Sequence, residues 1–192
     1  MRVKHNFDLV HGTREVFRIF LDALANPGRP VRRQDDFFSA HGRWLAPALT
    51  FLDSETGFFW DGPPEVGEEI RFLSGAEPAP LQSADFVFLS PTAAAEEILP
   101  QVKSGTHQDP HDSALLLIGS DFSAGLMPVR VALQGPGVPP EGRTVELSPQ
   151  ELAWAQARDG MRFEYPCGVE LVFLREDSLL ALTRKVAVSW PM

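Results

Sequence analysis

The first part of the chain carries its clearest hydrophobic pattern. Apolar residues recur there at spacings of three, four and seven, as on one face of a helix. They are Phe7, Val10, Phe17, Phe20, Leu21 and Leu24. Asn6 or Asp8 can cap the start by accepting backbone N–H bonds. The sequence ANPGRP ends the helix, because Pro27 disfavours helical geometry at the residue before it and Gly28 permits a turn.

Downstream, helical and strand-like segments alternate. Helix-period segments occupy residues 44–50, 66–73 and 91–102. Short runs rich in Phe, Val and Leu predict strands at 58–60, 84–90, 113–119, 128–138 and 144–148. The more polar stretches 31–43 and 74–83 predict surface connections.

The last third of the chain predicts one helix and one hairpin. Ser148 followed by Glu151 is the capping-box pattern, so a helix is expected over 148–160. Two apolar runs, 168–177 and 178–188, are joined by a tight polar turn and predict a β-hairpin. Strands that alternate with helices predict an α/β fold, a three-layer mixed sheet flanked by helices. No repeat or linker interrupts it, so residues 1–192 are expected to form a single domain.

Composition narrows the function classes. The net charge of −9 is spread along the chain, so binding to nucleic acid or to an anionic membrane surface is not expected. No apolar run approaches the roughly 20 residues of a membrane span. The N-terminus lacks the apolar core of a secretory signal, and a single cysteine, Cys167, excludes an internal disulfide. These features predict a cytoplasmic protein.

The segment GTHQDPHDSALLLIG, residues 105–119, raises the question of a metal site. His107 and His111 are four apart, the spacing at which a helix presents two ligands on one face. Pro110 lies between them, however, and is unfavourable inside a helix. A loop could still bring His107, Asp109 and His111 together, but their spacing does not argue for it. No metal is therefore predicted, and a metal-dependent hydrolase is kept as an alternative.

Other catalytic patterns are absent from the sequence, and we predict no catalytic residue. Cys167 stands at the start of an apolar run, where a lone cysteine is more often buried than reactive. There is no GxSxG nucleophile motif and no phosphate-binding GxxxxGK[ST] or GxGxxG loop. The weak anion-binding signals are Thr106 in an SGT turn, Gly135 and Gly137 in LQGPGV, and Arg184.

Several landmarks occur in a characteristic order. They are VFRIFLDALANPGRP, LDSETGFFW, ADFVFL, GTHQDPHDSALLLIG, LQGPGV, EYPCGVELVFL and LLALTRKVAV. As an ordered set from Phe17 to Val186 they resemble the PhnH family of the bacterial carbon–phosphorus lyase system. The chain departs from the family pattern at Thr183, where members usually carry proline, and at Tyr165, where they often carry phenylalanine.

The resemblance implies an accessory, non-catalytic subunit of a multi-subunit transferase. Such a subunit acts with PhnG, PhnI and PhnL to convert methylphosphonate and ATP into ribose 1-methylphosphonate 5-triphosphate. It also implies a homodimer, a place with PhnG, PhnI and PhnJ in a core complex, and a fold like the large domain of pyridoxal-phosphate-dependent transferases. The cofactor site is lost in this family, so no cofactor is expected.

Two readings of the ligand chemistry stay open. If the chain binds an anion, the candidate residues are Thr106, Gly135, Gly137 and Arg184. If it is instead a stand-alone pyridoxal-phosphate enzyme, it needs a Schiff-base lysine. The only lysines are Lys4, Lys103 and Lys185, and none stands in a recognisable cofactor motif.

Overall fold

The structure is a computed structural model that describes residues 10–32, 42–120, 122 and 127–190. Its helices are α1 (His11–Ala25), α2 (Gly42–Phe51), α3 (Pro64–Ser74), α4 (Ala95–Ile98) and α5 (Pro149–Gly160). The first five strands are β1 (Val31–Arg32), β2 (Gly57–Asp61), β3 (Glu77–Pro78), β4 (Phe86–Leu89) and β5 (Leu115–Gly119). The remaining strands are β6 (Val129–Gln134), β7 (Arg143–Leu147), β8 (Glu170–Leu174), β9 (Ser178–Leu182) and β10 (Ala187–Ser189).

The strands form two sheets. The larger has seven strands in the order β1-β9-β8-β5-β4-β2-β3. The five strands from β8 to β3 run parallel, and β9 and β1 extend the sheet in antiparallel pairing beyond β8. The smaller sheet is antiparallel, with the order β10-β6-β7. The parallel strands therefore all end at one edge of the large sheet, which we call the carboxyl edge, and all begin at the opposite, amino edge.

Alternating side chains on the large sheet separate two hydrophobic cores. In β8, Leu171 and Phe173 face a core shared with α4, α5 and the small sheet. Val172 and Leu174 face a second core, which is filled by α1, α2 and α3. Both faces of the central strands are covered, as expected for parallel strands that are apolar throughout. The prediction of a mixed sheet flanked by helices is thereby confirmed.

The first helix is confirmed, but its predicted buried face is wrong. The buried positions of α1 are Gly12, Val16, Phe20 and Ala23. Phe17 and Leu21, which belong to the predicted apolar stripe, are 51% and 57% exposed. The helix is apolar on more than one side, so periodicity alone did not identify the side that meets the sheet. The predicted caps Asn6 and Asp8, and Phe7, lie outside the described residues.

Three other sequence-based predictions need correction. The helix predicted over 91–102 is a single turn, α4. The predicted loop 74–83 contains β3, which pairs with β2 at the sheet edge. The predicted hairpin forms between β8 and β9, but the second run does not continue to residue 188. It stops at Leu182, and β10 then joins the small sheet, so the chain has two sheets where one was expected.

Two further observations bear on the predictions. The capping box at the start of α5 is present, with Ser148 and Glu151 bonding reciprocally. Among the described residues, no helix is both long and apolar enough to cross a membrane. The likeness to the large domain of pyridoxal-phosphate-dependent transferases stays a prediction.

Candidate functional site

The carboxyl edge of the sheet contains a point where the chain reverses its direction of winding. After β2 the chain passes through α3 to β3 on one side, and after β4 it passes through α4 to β5 on the other. The two helices pack on opposite faces of the sheet. Ligands of open α/β sheets commonly bind in the crevice that such a reversal leaves beyond the strand ends. The ends of β2 and β4 are therefore the first place to look for a site.

Polar side chains meet at this crevice. Asp61 ends β2, and Ser90 follows β4 directly. The Ser90 hydroxyl donates to Asp61 Oδ2 over 2.8 Å, and its oxygen lies 3.1 Å from Thr92 Oγ1. This cluster can donate and accept hydrogen bonds. The base that Ser90 contacts here is the Asp61 carboxylate, and a carboxylate is a weaker base than the histidine that commonly activates a serine nucleophile.

Aromatic side chains fill the neighbouring part of the carboxyl edge. A methyl group added at Gly119, the last residue of β5, would lie only 2.8 Å from the Trp44 ring and 3.2 Å from Pro91. The ring of Trp44 packs edge-on against Trp60, with centroids 5.4 Å apart. The Trp60 indole N–H donates to the Pro63 carbonyl over 2.9 Å. The centre of the edge is therefore closely packed and leaves no space beside β5 for a bulky group.

A buried ion pair lies further along the same edge, beyond β5 and β8. Glu151 of α5 is fully buried, and the Arg175 side chain, directly after β8, is 4% exposed. Arg175 donates from Nε and Nη2 to the two carboxylate oxygens over 2.8 and 2.6 Å. The Ser120 hydroxyl, just after β5, donates to the same carboxylate over 2.7 Å. This bidentate geometry ties α5 to the ends of two central strands.

A cleft of about 590 Å³ opens beside this ion pair. Its walls include Arg175, Phe122, the β8–β9 turn at Glu176, and Thr144 of β7. The Arg175 guanidinium stacks on the Phe122 ring, 3.8 Å from the centroid. Arg175 Nη1 makes no hydrogen bond among the described residues and is not one of the fully buried unpartnered atoms. With respect to the described residues, Nη1 is therefore available to a group that enters the cleft.

The predicted anion-binding residue Arg184 lies at the opposite, amino edge. Its Nε and backbone N–H donate to Glu170, the first residue of β8, both over 2.7 Å. Nη1 donates to the carbonyls of Pro110 and Pro166, and Nη2 donates to the Ser113 hydroxyl. Four of its five side-chain N–H groups are therefore used within the chain. Through these hydrogen bonds, Arg184 links the loop before β5 to the start of β8.

The other predicted site residues lie in turns. Thr106 Oγ1 accepts the Asp109 N–H over 2.9 Å, and the Thr106 N–H donates to the Asp109 carbonyl over 3.1 Å. Thr106 thus shares a loop with Pro110 and lies near Arg184. Gly135 has φ 141°, and a methyl group there would lie 2.4 Å from the Lys185 carbonyl.

Gly137 contacts a different part of the chain. It has φ 81°, and a methyl group there would lie 2.7 Å from Pro27, just after α1. Gly137 and Gly135 therefore serve close backbone packing in two different places. Their predicted ligand role, with that of Thr106 and Arg184, stays a prediction.

Lys103 is the centre of a second network at the amino edge. Its ammonium group donates to Asp85 over 2.6 Å and to Asp112 over 2.7 Å. Asp85 also accepts the Gly57 N–H over 2.7 Å, which joins the loop to the start of β2. Desolvation lowers the pKa of Lys103, but hydrogen bonds and charge attraction to Asp112 and Asp85 outweigh it, so the pKa is raised above 10.5. A protonated lysine is a poor Schiff-base nucleophile.

Replacing Lys103 with glutamine should raise the pKa of Asp112 toward its ordinary value. The hydrogen bond and charge of Lys103 lower that pKa below 3.8. The stabilisation from Asp112 is therefore complete above its unfolded pKa, near 4, and is lost as the pH falls through the folded value. The stabilisation from the Lys103 ammonium group is complete below the pKa that Lys103 has in the unfolded chain. It is lost as the pH rises through the raised pKa of Lys103 in the folded protein. A side-chain NMR titration of Asp112 measures the change.

Lys185→Gln is the matched control for this titration. Lys185 donates to the Phe163 carbonyl over 3.0 Å and faces the Tyr165 ring, 5.6 Å from its centroid. Its removal should leave the titration of Asp112 unchanged. An Asp112 titration that is the same in Lys103→Gln as in the wild type would show that the network does not hold the carboxylate.

The structure also shows the surroundings of His107, a candidate metal ligand, and of Cys167, a candidate nucleophile. His107 Nε2 lies 3.8 Å from Glu164 Oε2, and both side chains are largely exposed. Within residues 10–32, 42–120, 122 and 127–190, no three His, Cys, Asp or Glu side chains are close enough to hold a metal ion. Cys167 is buried and unpaired, as its apolar setting predicted. Lys4 lies outside the described residues.

The ion pair of Arg175 and Glu151 was missed as a candidate site by the sequence reasoning. Glu151 was identified as a helix cap, which it is, but the same carboxylate also binds Arg175. Arg175 stands in the polar turn LREDS after β8, where an arginine reads as an ordinary surface residue. The one available signal was its position directly after an apolar parallel strand, where ligand-binding residues of α/β sheets are found.

The sequence model of a family described as "Bacterial phosphonate metabolism protein (PhnH)" matches residues 5–189. No curated protein matches the chain.

Proposed function

Because this chain belongs to the PhnH family of bacterial phosphonate metabolism proteins, we propose that it is an accessory subunit of the carbon–phosphorus lyase complex. In this role it acts with PhnG, PhnI and PhnL to form ribose 1-methylphosphonate 5-triphosphate from methylphosphonate and ATP. It is cytoplasmic, forms a homodimer and joins PhnG, PhnI and PhnJ in the core complex. The observation that carries the proposal is a family match that spans nearly the whole chain.

The use of the polar residues supports an accessory role. At the amino edge, the charged side chains of Arg184 and Lys103 donate hydrogen bonds to other residues of the same chain. At the carboxyl edge, Glu151 and Arg175 bind each other. These groups hold the strand ends and loops in place. A subunit that supplies shape and contact surface to an assembly needs such rigid edges more than it needs a reactive centre.

The outer face of α1 supports a role in assembly. Phe17 and Leu21 are one turn apart, and both are more than half exposed. Pairs of large apolar side chains that are exposed on a helix are common where another protein chain covers the surface. Met127, which is 87% exposed and lies outside α1, offers a comparison position.

Co-expression with the other lyase subunits tests the proposal. We expect the chain to co-purify with PhnG, PhnI and PhnJ, and we expect the mixture with PhnG, PhnI and PhnL to form product only when the chain is present. The isolated chain should show no turnover of methylphosphonate and ATP. Product formation at full rate without the chain, or by the chain alone, would contradict the accessory role.

Substitutions on α1 make the test more specific. Leu21→Asp places a charge on the exposed apolar face and should weaken dimer formation or subunit binding by about tenfold or more. Met127→Asp is the matched control and should leave both unchanged. Analytical ultracentrifugation measures the dimer, and co-purification measures subunit binding. Equal loss in both variants would show that α1 is not the contact surface.

The predicted anion-binding residues need a separate measurement. Titration of the wild type and of Arg184→Ala with a nucleotide phosphonate compares their affinities directly. Equal affinities would remove Arg184 from a binding role and leave it as the fastening between Pro110, Ser113 and Glu170. A large loss of affinity in a folded variant would support the predicted site.

A further inference from the structure

Among the residues that the structure describes, one side of the small sheet ends in an unpaired edge. In that sheet β7 pairs only with β6, and β6 lies between β7 and β10. The cleft runs along the outer side of β7, because Thr144, Val145 and Glu146 line it. The lining also includes Arg32 of β1, which is the outermost described strand of the large sheet and, within that part of the chain, pairs with β9 alone. The cleft therefore separates the edges of two sheets.

The hydrogen-bonding pattern shows which amides of β7 face this cleft. Val188 of β10 lies opposite Leu133 of β6. Its N–H donates to Asp159 Oδ2 over 2.9 Å, so it points away from β6. Antiparallel pairs alternate between hydrogen-bonded and non-hydrogen-bonded types. Leu133 therefore directs its backbone groups at β7, where it forms a hydrogen-bonded pair with Arg143.

The alternation of pair types between β6 and β7 identifies the two residues of β7 whose backbone groups point outward. Thr144 and Glu146 belong to non-hydrogen-bonded pairs, so their N–H and C=O groups point away from β6 and into the cleft. An independent contact agrees, because Arg175 Nη2 reaches the Glu146 carbonyl over 2.9 Å. The two outward N–H groups are two residues apart, or about 6.8 Å, which is the repeat of an extended strand. Neither has a partner among the described residues.

Arg175 adds a donor at the end of this edge. Its side chain is 4% exposed, held by Glu151 and stacked on Phe122, so its orientation is set before any ligand arrives. Arg175 lines the cleft, and its Nη1 makes no hydrogen bond to any residue that the structure describes. Because Glu151 neutralises the guanidinium charge, Nη1 suits an uncharged acceptor such as a backbone carbonyl better than a polyanion.

The charges of the rim favour a basic occupant. Arg32 lies 3.6 Å from Asp177, and Arg130 lies 3.4 Å from Glu146. Glu176 lines the cleft with no ion-pair partner among the residues the structure describes. Counted over the lining residues that the structure describes and their ion-pair partners, the rim therefore has one carboxylate in excess, and a lysine or arginine side chain on the occupant would complement it.

From these observations we propose that β7 binds an extended segment of a partner protein, which adds as a fourth strand to the small sheet. The N–H and C=O groups of Thr144 and the N–H of Glu146 pair with its backbone, Arg175 Nη1 donates to one of its carbonyls, and Glu176 binds a basic side chain. This is recognition by strand addition, in which the backbone supplies affinity and alternate side chains supply specificity. The proposal does not depend on which complex the chain joins.

A blocked peptide of about six residues with alternating valine and lysine tests the proposal. We expect it to bind the wild type with a dissociation constant below about 1 mM and to shift the amide NMR signals of Thr144 and Glu146. The same peptide with glutamate in place of lysine should bind at least about tenfold more weakly, and Glu176→Gln should reduce that preference. Isothermal titration measures the affinities.

Two controls separate strand addition from simple charge attraction. Thr144→Pro removes one outward N–H that bonds to none of the described residues, and proline is tolerated at such edge positions. It should weaken peptide binding about tenfold, whereas Thr144→Val, which keeps the N–H, should not. On the wild-type protein, two peptides N-methylated at complementary alternate residues should differ about tenfold in affinity, because only one set of N–H groups faces β7.

Three outcomes would overturn the proposal. The first is the absence of binding at about 1 mM peptide. The second is binding that neither Thr144→Pro nor N-methylation changes, which would indicate charge attraction alone. The third is self-association of the wild type that Thr144→Pro abolishes, which would assign the edge to a second copy of this chain.

Discussion

Replacing Glu151 with alanine should lower the free energy of unfolding by about 3–5 kcal/mol, because it leaves a buried arginine without its counter-charge. Glu151 is fully buried, and Arg175 donates to both of its carboxylate oxygens. The substitution also removes the acceptor of the Ser120 hydroxyl and of the Ser148 N–H at the start of α5. Urea denaturation followed by circular dichroism measures the loss.

Two control variants identify which part of the ion pair is responsible. Ser120→Ala removes one hydrogen bond to the carboxylate and should cost about 1 kcal/mol. The double variant Glu151→Leu with Arg175→Met replaces both charges by apolar groups and should recover most of the stability lost in Glu151→Ala. A loss below about 1 kcal/mol in Glu151→Ala would show that Arg175 finds another partner when the carboxylate is absent.

The second large effect is expected at Arg158 of α5, whose side chain is 2% exposed. It donates to the carbonyls of Leu182, Thr183 and Val186, and so supports the chain where it leaves β9 for β10. Arg158→Met should lower the free energy of unfolding by about 3–5 kcal/mol, because two buried carbonyls and one partly buried carbonyl lose their donor and Asp159 loses its ion pair. Thermal and urea denaturation both measure the change.

The location of the amides that lose protection distinguishes a local effect of Arg158→Met from a general loss of packing. Amide hydrogen exchange should accelerate at residues 183–189 while β4 and β5 keep their protection. Arg162, an exposed arginine just after the same helix, provides the matched control, and Arg162→Met should cost less than about 0.5 kcal/mol. Uniform acceleration over the whole chain would contradict a local role for Arg158.

The central strands of the large sheet could be predicted from the sequence because their local signals agree, whereas the two-residue edge strands β1 and β3 lay in segments predicted as surface connections. The apolar runs around Val87, Leu117 and Val172 are short and uninterrupted, as expected for strands that are covered on both faces. The capping box at Ser148 marks the start of α5 to the residue. The buried side of α1 could not be predicted, because Phe17 and Phe20 are equally apolar and only packing against α2 and the sheet selects Phe20.

The polar networks were much harder to predict than the elements. Arg184 and Arg175 look alike in the sequence, since each is an arginine next to an apolar run. The structure separates their surroundings. Arg184 uses four side-chain N–H groups on the loops of the amino edge, whereas Arg175, beside a cleft at the carboxyl edge, has an Nη1 that bonds to none of the described residues. The attractive spacing of His107 and His111 produced no cluster of metal ligands in the described part of the chain.

The division between the two kinds of information has a physical cause. Strand and helix types, the capping box and the family membership follow from local spacing and ordered motifs, which a single chain carries in one dimension. The edge of the large sheet on which a polar side chain lies does not follow from that local information. A polar side chain either forms its hydrogen bonds within the chain or remains available to a ligand. Which of the two occurs depends on the distant backbone carbonyls and carboxylates that fold against it, as Pro110 does for Arg184 and Glu151 does for Arg175. Those partners are 74 and 24 residues away in the chain and meet only when the sheet has formed.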